Sequence, residues 1–419
     1  MKFIHAADIH LDSPLKGLER YEGAPAEEIR SATRKAFEQL IDFCLEEEVE
    51  LLLLAGDLYD ADWKDYNTGL FFIHQAARLT RRGIRVVIVR GNHDAASQIT
   101  RRLRLPDGGH ELSTRKPDTL PLDDLGIAIH GQGFSKREVT SNLARALPDP
   151  LPGRFNIGLL HSSLDGREGH DVYAPCSLDD LTGKGYDYWA LGHIHRREIV
   201  SRDPPIVFPG NLQGRHSRET GPKGAYLVEV EEGEVVRLDF KPLETVRWEI
   251  VEVDVSGLES FQDIAEACLA ALQSRCGDLG DQVLASRLRL DGISPIHHRL
   301  IGDPEHVAQE IRAAAAELPT PVWVEKALVQ TRAQQDAAAL ASREDAVGGL
   351  LRGLADLRRD EEALQAVKQA LSGLARKLPG EYKQHEEGLD LEDTESLLSL
   401  LPEVEDLLIA LLQDRGEEP

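Results

Sequence analysis

Five short segments place metal-binding groups at the ends of strand-like runs. They are Asp8-Ile9-His10, Gly56-Asp57-Leu58-Tyr59-Asp60, Gly91-Asn92-His93-Asp94, the lone His161, and Gly192-His193-Ile194-His195. The runs that lead into them are Lys2 to His5, Leu51 to Ala55, Val86 to Val89, Asn156 to His161 and Tyr188 to Gly192. Each is short and apolar, as a buried strand is. A strand that stops at glycine and then presents amide, imidazole and carboxylate in succession is not built for packing alone. Residues two apart on an extended backbone share a face, so Asp8 is expected beside His10 and His193 beside His195. Loops at the carboxyl ends of neighbouring strands converge, and sheet proteins place ligands there. Imidazole, carboxylate and one carboxamide, with no thiolate, suit Mn²⁺, Fe²⁺ or Zn²⁺. Asp8, His10, Asp57, Asn92, His161, His193 and His195 are more donors than one tetrahedral zinc takes. They are right for two divalent ions sharing one carboxylate. Such a pair, about 4 Å apart, clamps a phosphate and supplies hydroxide at neutral pH.

To hold these segments together, the chain needs a layered scaffold. Glu27 to Glu47 carries Ile29, Ala32, Ala36, Leu40 and Phe43 at helical spacing, and Asn67 to Leu79 reads as a second helix. With the first three strands this makes βαβαβ, the pattern of an α/β core. Gly126 to Gly131, Asn156 to His161, Tyr188 to Gly192, Ile206 to Phe208, Ala225 to Val230 and Val235 to Phe240 are strand-like, with few helices between them. They predict a second, mixed sheet. The expected fold class is α/β, with two facing mixed β-sheets flanked by helices, over residues 1–243.

The character changes near Lys241 to Val246. Strands at Trp248 to Val255, Gln282 to Leu290 and Val322 to Val329 alternate with helices at Phe261 to Ser274 and Pro304 to Leu318. Pro304 sits where a first-turn proline belongs. This predicts a small α+β domain over residues 244–333. Residues 334–419 form a C-terminal helical region, and between 336 and 419 there are 9 Lys+Arg against 20 Asp+Glu. Its leucines keep helical spacing, which gives two or three amphipathic helices with a break at Pro379-Gly380. A bundle closed on its own core and an arm that docks a partner both fit this composition.

The chain of 419 residues is 41% hydrophobic, enough to build real cores, and no stretch approaches a membrane span. The first residues do not form a secretory signal. Cys44, Cys176, Cys268 and Cys276 include no CxxC pair and read as reduced thiols of a cytoplasmic protein. The net charge of −25 disfavours a nucleic-acid binder that works by broad counterion release, though not a nuclease whose acidic site carries its own cations.

The order DxH, GDxxD, GNHD, lone His and GHxH resembles that of the calcineurin-like metallophosphoesterases. Within it, His5-Ala6-Ala7-Asp8-Ile9-His10-Leu11 and Ala190-Leu191-Gly192-His193-Ile194-His195 resemble the DNA double-strand-break-repair nucleases of the SbcD branch. Tyr173-Ala174-Pro175-Cys176-Ser177 and Pro209 to His216 resemble bacterial YhaO-type members. The resemblance covers residues 1 to about 240, weakens in the α+β domain, where the family carries a DNA-capping domain, and is only positional in the tail. It implies one metal held by Asp8, His10, Asp57 and His195. It assigns the second to Asp57, Asn92, His161 and His193, with Asp57 bridging. His93 then faces the scissile phosphate and assists the leaving oxygen, and Asp60 orients His93. Some branches carry histidine at the Asp60 position.

The resemblance further implies a Mn²⁺-dependent DNA nuclease subunit for repair or end processing. Its partners would be DNA, an SMC-like coiled-coil ATPase met through the C-terminal helices, and a second copy of the chain as a homodimer. A phosphodiesterase or phosphatase on small nucleotides or other phosphoesters would share every ligand, and the net charge favours it. A scaffold that presents the C-terminal helices to an ATPase is the third reading, and the intact ligand set opposes it. Among the other groups, His5 reads as a core neighbour of the site rather than a ligand, and His74 and His130 lack metal spacing. Arg215 and His216 suit either a phosphate contact or an ion pair with Glu219. Arg101, Arg102 and Arg104 form either a backbone grip or a solvated loop. His170 and His297-His298-Arg299 read as surface rather than substrate contacts.

Overall fold

The computed structural model describes residues 1–13, 25–60, 66–96, 104–165, 172–277, 279–334, 337–377, 390–391 and 393–414. Strands β1 (Lys2–Ala6), β2 (Leu51–Ala55), β3 (Arg85–Val89), β4 (Gly109–Glu111), β5 (Asp118–Leu122) and β6 (Ile127–Gly131) come first. Next are β7 (Phe155–His161), β8 (Tyr188–Gly192), β9 (Glu198–Arg202), β10 (Pro205–Phe208), β11 (Gly224–Glu231) and β12 (Glu234–Pro242). They form two mixed six-stranded sheets, ordered β12-β11-β1-β2-β3-β4 and β5-β6-β7-β8-β10-β9. In the first, β1 to β4 run parallel, and β11 joins β1 antiparallel. In the second, β6, β7, β8 and β10 run parallel, with β5 and β9 as antiparallel edges.

Burial on both faces explains why these strands read as unbroken apolar runs. Successive side chains point to opposite faces. Leu51 and Leu53 of β2 meet Ile129, Ile157 and Leu159 of the opposing sheet in one core. Leu52 and Leu54 face the helices Ala26–Glu46 and Tyr66–Thr80, against Phe37, Leu40 and Phe72. Trp189, Ile206 and Phe208 cover the outer face of the second sheet with Leu143 and Leu181. Each such fully buried side chain contributes on the order of 1.5–3 kcal/mol. The expected pair of facing mixed sheets flanked by helices is present.

Two details differ from expectation. Ala225 to Val230 and Val235 to Phe240 were expected in the second sheet, but β11 and β12 belong to the first, because β11 pairs with β1 in the register Phe3↔Val228. Strands β4, β5 and β9 were not foreseen; they are short edge or near-edge strands, and none has a fully buried side-chain run.

Two compact units divide the chain. The first comprises Met1–Glu249, Cys276–Ser286 and Pro319–Glu325, and the second holds Ile250–Arg275, Arg287–Leu318 and the described residues from Lys326 onward. Strands β13 (Val246–Asp254), β14 (Val283–Ser294) and β15 (Val322–Ala333) pair in that order, their residues shared between the units. In the second unit Asp303 caps the helix Pro304–Ala315 by accepting from His306 N at 3.0 Å. The tail forms the helices Ala337–Ala341, Ala346–Leu357, Glu361–Ala375 and Thr394–Asp414, more than the two or three expected. Asp345 and Asp360 cap the second and third of these. Pro379-Gly380 lies outside the described residues. Small clusters close the tail locally: Leu340, Val347, Leu351 and Ile409 in one, Ala375, Leu391 and Leu397 in another. No helix among the described residues is long and apolar enough to cross a membrane.

Candidate metal centre

Backbone hydrogen bonds zip the first two ligand-bearing loops together. Asp8 N donates to Gly56 O at 3.1 Å, His10 N to Asp57 O at 3.0 Å and Leu11 N to Leu58 O at 3.0 Å. The chain leaves the extended conformation to do so, with φ of 51° at Asp8, 47° at His10, 50° at Asp57 and 103° at His193. Positive φ at such residues costs on the order of 1–3 kcal/mol each and persists only where the surroundings over-determine it. Asp8 and His10 still come together as expected, through these turns rather than by strand alternation, whereas the expected pairing of His193 with His195 fails. His195 turns its ring to His10 (centroids 5.1 Å), whereas His193 turns to His161 at 5.1 Å and Tyr173 at 5.7 Å. The two histidines serve opposite sides of the site. Gly91 also does more than turn the chain, because an added Cβ there would lie 2.2 Å from Asp57 Oδ1.

The side chains gather into three overlapping clusters whose ligand atoms lie within 4.8 Å of one another: Asp8, His10 and His195; Asp8, Asp57 and His161; His10, Asp60 and His93. Asp57 Oδ2 is 3.9 Å from His10 Nε2 and 3.4 Å from His161 Nε2, so one carboxylate oxygen reaches both sides. Asn92 Oδ1 stands 3.0 Å from His161 Nε2. Backbone amides fix the carboxylates: His193 N donates to Asp8 at 3.0 Å and His93 N to Asp57 at 2.9 Å. Asp94 ties the central loop by accepting from Tyr59 N and Gly91 N, both at 3.0 Å.

The donor set fits divalent cations. His161 Nδ1 faces the Ala55 carbonyl at 3.0 Å and His195 Nδ1 faces Glu219 Oε1 at 2.7 Å. Each contact engages the Nδ1 proton, so Nε2 is the atom turned into the site. Those Nε2 atoms face Asn92 Oδ1 for His161 and, at 3.3 Å, His10 Nε2 for His195. Against burial, Asp57 raises the His161 imidazole pKa to about 9, a positive charge that a cation would replace. Imidazole nitrogens and carboxylate and amide oxygens that converge in a buried pocket suit a cation between them. The charges agree. Burial raises the Asp8 carboxyl above its ordinary range, and the opposing pull of His195 and His161 does not bring it back. Asp94 is pushed up to about 7 by burial and by Asp57.

At the rim, His93 Nδ1 lies 2.6 Å from Asp60 Oδ1. Burial alone would lower the His93 pKa, but the Asp60 contact and the Asp57 charge reverse this and the net shift is upward. Ser13 Oγ donates to the other Asp60 oxygen at 2.5 Å. Arg215 is half-buried rather than on the open surface. It meets Glu219 at 3.1 Å and approaches Asp60 at 3.6 Å. His216 is more than half exposed, with Nε2 3.7 Å from Glu219. Arg101, Arg102 and His170 lie outside the described residues, and Arg104 is exposed. His5 is buried against the Tyr188 hydroxyl at 3.1 Å, and His130 is a core residue stacked on Tyr186. His74 is exposed on its helix.

Glu219 is the residue whose part the sequence did not reveal. It receives His195 Nδ1, Asn211 Nδ2 at 2.9 Å, Arg215 N at 2.7 Å and the Arg215 guanidinium at once. Burial opposes its ionisation, yet the His195 contact and Arg215 hold it well below the usual carboxylate range. Its spacing to Arg215 signalled an ion pair, and nothing in the sequence signalled that it orients His195. A carboxylate behind a ligand histidine fixes both its tautomer and its ring.

Residues 1–197 match the family model of the calcineurin-like phosphoesterases, and residues 248–332 match that of the middle domain of the metallophosphoesterase YhaO. Over residues 1–197 the chain is a calcineurin-like metallophosphoesterase, of a family of metal-dependent phosphoester hydrolases. Within the family it is 38% identical over 260 residues to the uncharacterized metallophosphoesterase YhaO of Bacillus subtilis, covering 61% of this chain and 64% of that protein. It is 27% identical over 288 residues to the DNA double-strand break repair protein Mre11 of Methanopyrus kandleri, covering 61% of this chain and 60% of the relative. The SbcD component of the nuclease SbcCD of Staphylococcus epidermidis is 25% identical over 285 residues, covering 61% of this chain and 73% of the relative. The match spans less than two thirds of the YhaO and Mre11 relatives.

Proposed function

We propose that the chain is a DNA nuclease that hydrolyses phosphodiester bonds at a site for two divalent ions, with Mn²⁺ as the working metal. The observation that carries the phosphoester chemistry is Asp57 Oδ2 standing between His10 Nε2 and His161 Nε2. In this reading Asp8, His10, Asp57 and His195 hold one ion and Asp57, Asn92, His161 and His193 the other. When bound, the ions neutralise phosphate charge and activate water. The chain's own groups do the rest. Glu219 and the Ala55 carbonyl hold His195 and His161 in the tautomer that leaves Nε2 free. Asp60 keeps His93 protonated so that its Nε2 can give a proton to the leaving oxygen. Arg215, neutralised by Glu219 and Asp60, acts as a brace for the site and not as a phosphate grip.

Likeness to proteins named for double-strand-break repair and for a nuclease supports DNA as the ester. Residues 244–333 would serve as a capping domain and residues 334–419 as the arm that meets an SMC-like ATPase, with the chain acting in the cytoplasm. Leu374, Val404 and Leu407 are large apolar side chains left exposed on the tail helices, which supports docking. The net charge of −25 supports the second reading, a phosphodiesterase on small nucleotides. Labelled single- and double-stranded DNA, offered beside bis-p-nitrophenyl phosphate with Mn²⁺, decides between them. Cleavage of DNA is expected, and DNA left intact while the small ester is hydrolysed selects the second reading.

Asp60→Asn tests the role of His93 as acid. Removing the carboxylate lowers the imidazole pKa, so the proton is lost at lower pH. The alkaline limb of kcat is expected to move to lower pH with both metals retained. An unmoved limb means that Asp60 does not set the protonation of His93.

A further inference from the structure

Outside the phosphoesterase centre, one other group of side chains among the described residues of the second unit has metal-ligand chemistry. His297 and His298 open the helix His297–Gly302, and Asp406 projects from the helix Thr394–Asp414. Their ligand atoms lie within 4.8 Å of one another. His297 is only 3% exposed, and its Nδ1 meets Thr331 Oγ1 of β15 at 2.8 Å. A proton on Nδ1 donated to that hydroxyl leaves Nε2 with a lone pair, aimed at Asp406 Oδ2 3.3 Å away. The threonine thus does for His297 what an outer partner does for a metal-bound imidazole. Both ring nitrogens of His298 are buried, and neither makes a well-formed hydrogen bond; the imidazole feels Asp406 through both its carboxylate and its backbone. The two imidazoles sit with centroids 5.1 Å apart.

A simple ion pair accounts for part of this. Protonated His297 could face Asp406, but that leaves the buried nitrogens of His298 with no more than a poorly formed contact to the Asp406 backbone, whereas buried polar groups are normally well paired. A cation among the three groups gives each of them a partner. Zinc takes imidazole and carboxylate at about 2.0–2.2 Å, which in a tetrahedron sets ligand atoms about 3.4 Å apart. The His297–Asp406 separation of 3.3 Å is already that edge. Asp406 is partly exposed, so an ion and a water as fourth ligand have a way in.

We propose that His297, His298 and Asp406 form a separate structural site for a divalent cation of the zinc class. The ion would pin the helix Thr394–Asp414 to the helix His297–Gly302, setting the position of the tail within its own unit. The site shares no residue with the phosphoesterase ligands, so it stands or falls independently of the proposed nuclease activity.

The test uses the full chain, stripped with chelator and titrated with Zn²⁺. Bound zinc is counted by elemental analysis, and hydrogen exchange is followed in the Thr394–Asp414 peptide. The wild type is expected to take up one equivalent more than His298→Ala or Asp406→Asn, with hydrolysis of bis-p-nitrophenyl phosphate equal in all three. Zinc is expected to slow exchange in that helix at least tenfold in the wild type and not in the variants. Asp406→Asn keeps the side-chain shape, so it reports on the ligand even if a histidine variant folds poorly. Equal zinc uptake in wild type and Asp406→Asn, or exchange in the helix indifferent to zinc, overturns the proposal.

Discussion

Asp57→Ala is expected to abolish divalent-metal binding and phosphodiester hydrolysis together. The carboxylate stands between His10 Nε2 at 3.9 Å and His161 Nε2 at 3.4 Å. It also takes the His93 amide at 2.9 Å, and Gly91 lacks a Cβ where its oxygen approaches. Removing it leaves His10 and His161 facing each other's territory with no anion to bring an ion between them. Both ions would be lost because the group belongs to both sides, whereas a ligand on one side alone would empty only that side. Asp57→Asn keeps the volume and the contact to the His93 amide, so it separates lost charge from lost shape. Elemental analysis after Mn²⁺ loading and hydrolysis of bis-p-nitrophenyl phosphate are the measurements. A variant that cleaves normally with Mn²⁺ would sink the two-ion reading.

His93→Ala is expected to do the opposite to binding and nearly the same to rate. Its Nδ1 is occupied by Asp60 at 2.6 Å, and about a third of the side chain reaches solvent. It sits beside His10, with ring centroids 4.9 Å apart, without joining the cluster of Asp8, Asp57 and His161. His93 does share a cluster with His10 and Asp60, but with Nδ1 taken by Asp60 it would, in the proposed reading, move a proton rather than hold an ion. General-acid catalysis of this kind is worth about 10²–10⁴-fold, or roughly 3–5 kcal/mol of barrier. The expected result is a fall of that size in kcat with metal content unchanged. An emptied site in the His93→Ala protein would make it a ligand instead.

Much of this was legible in the chain because the central strands are buried on both faces. Leu51-Leu52-Leu53-Leu54-Ala55 reads as a strand and is one, end for end. The groups placed after such runs converge because neighbouring parallel strands end together. Sheet membership was not legible for β11 and β12. Phe3 and Val228 are neighbours in register but far apart in sequence, and local patterning carries no record of such pairing. Strands β4 and β5 escaped notice because half-buried residues such as Gly109 and Asp118, and the exposed Pro121, give no apolar run. The positive φ values at Asp8, His10, Asp57 and His193 could not be read either, since none of these is glycine. They are where the alternation argument fails and where the loops instead zip edge to edge. Glu219 was visible only as a partner for Arg215, because its place behind His195 depends on how the segment after β10 returns to the site. A second, partly buried link, Asp12 to Arg34 at 2.6 Å and to Thr68 at 2.5 Å, ties the first loop to two helices and was likewise silent in the sequence.

The measurement closest to the central claim is the electron paramagnetic resonance spectrum of the wild-type protein loaded with two equivalents of Mn²⁺. Two ions sharing the Asp57 carboxylate are spin-coupled, so the account predicts a multiline exchange-coupled signal that disappears in Asp57→Ala. Only the six-line spectrum of isolated Mn²⁺ at full loading would contradict it.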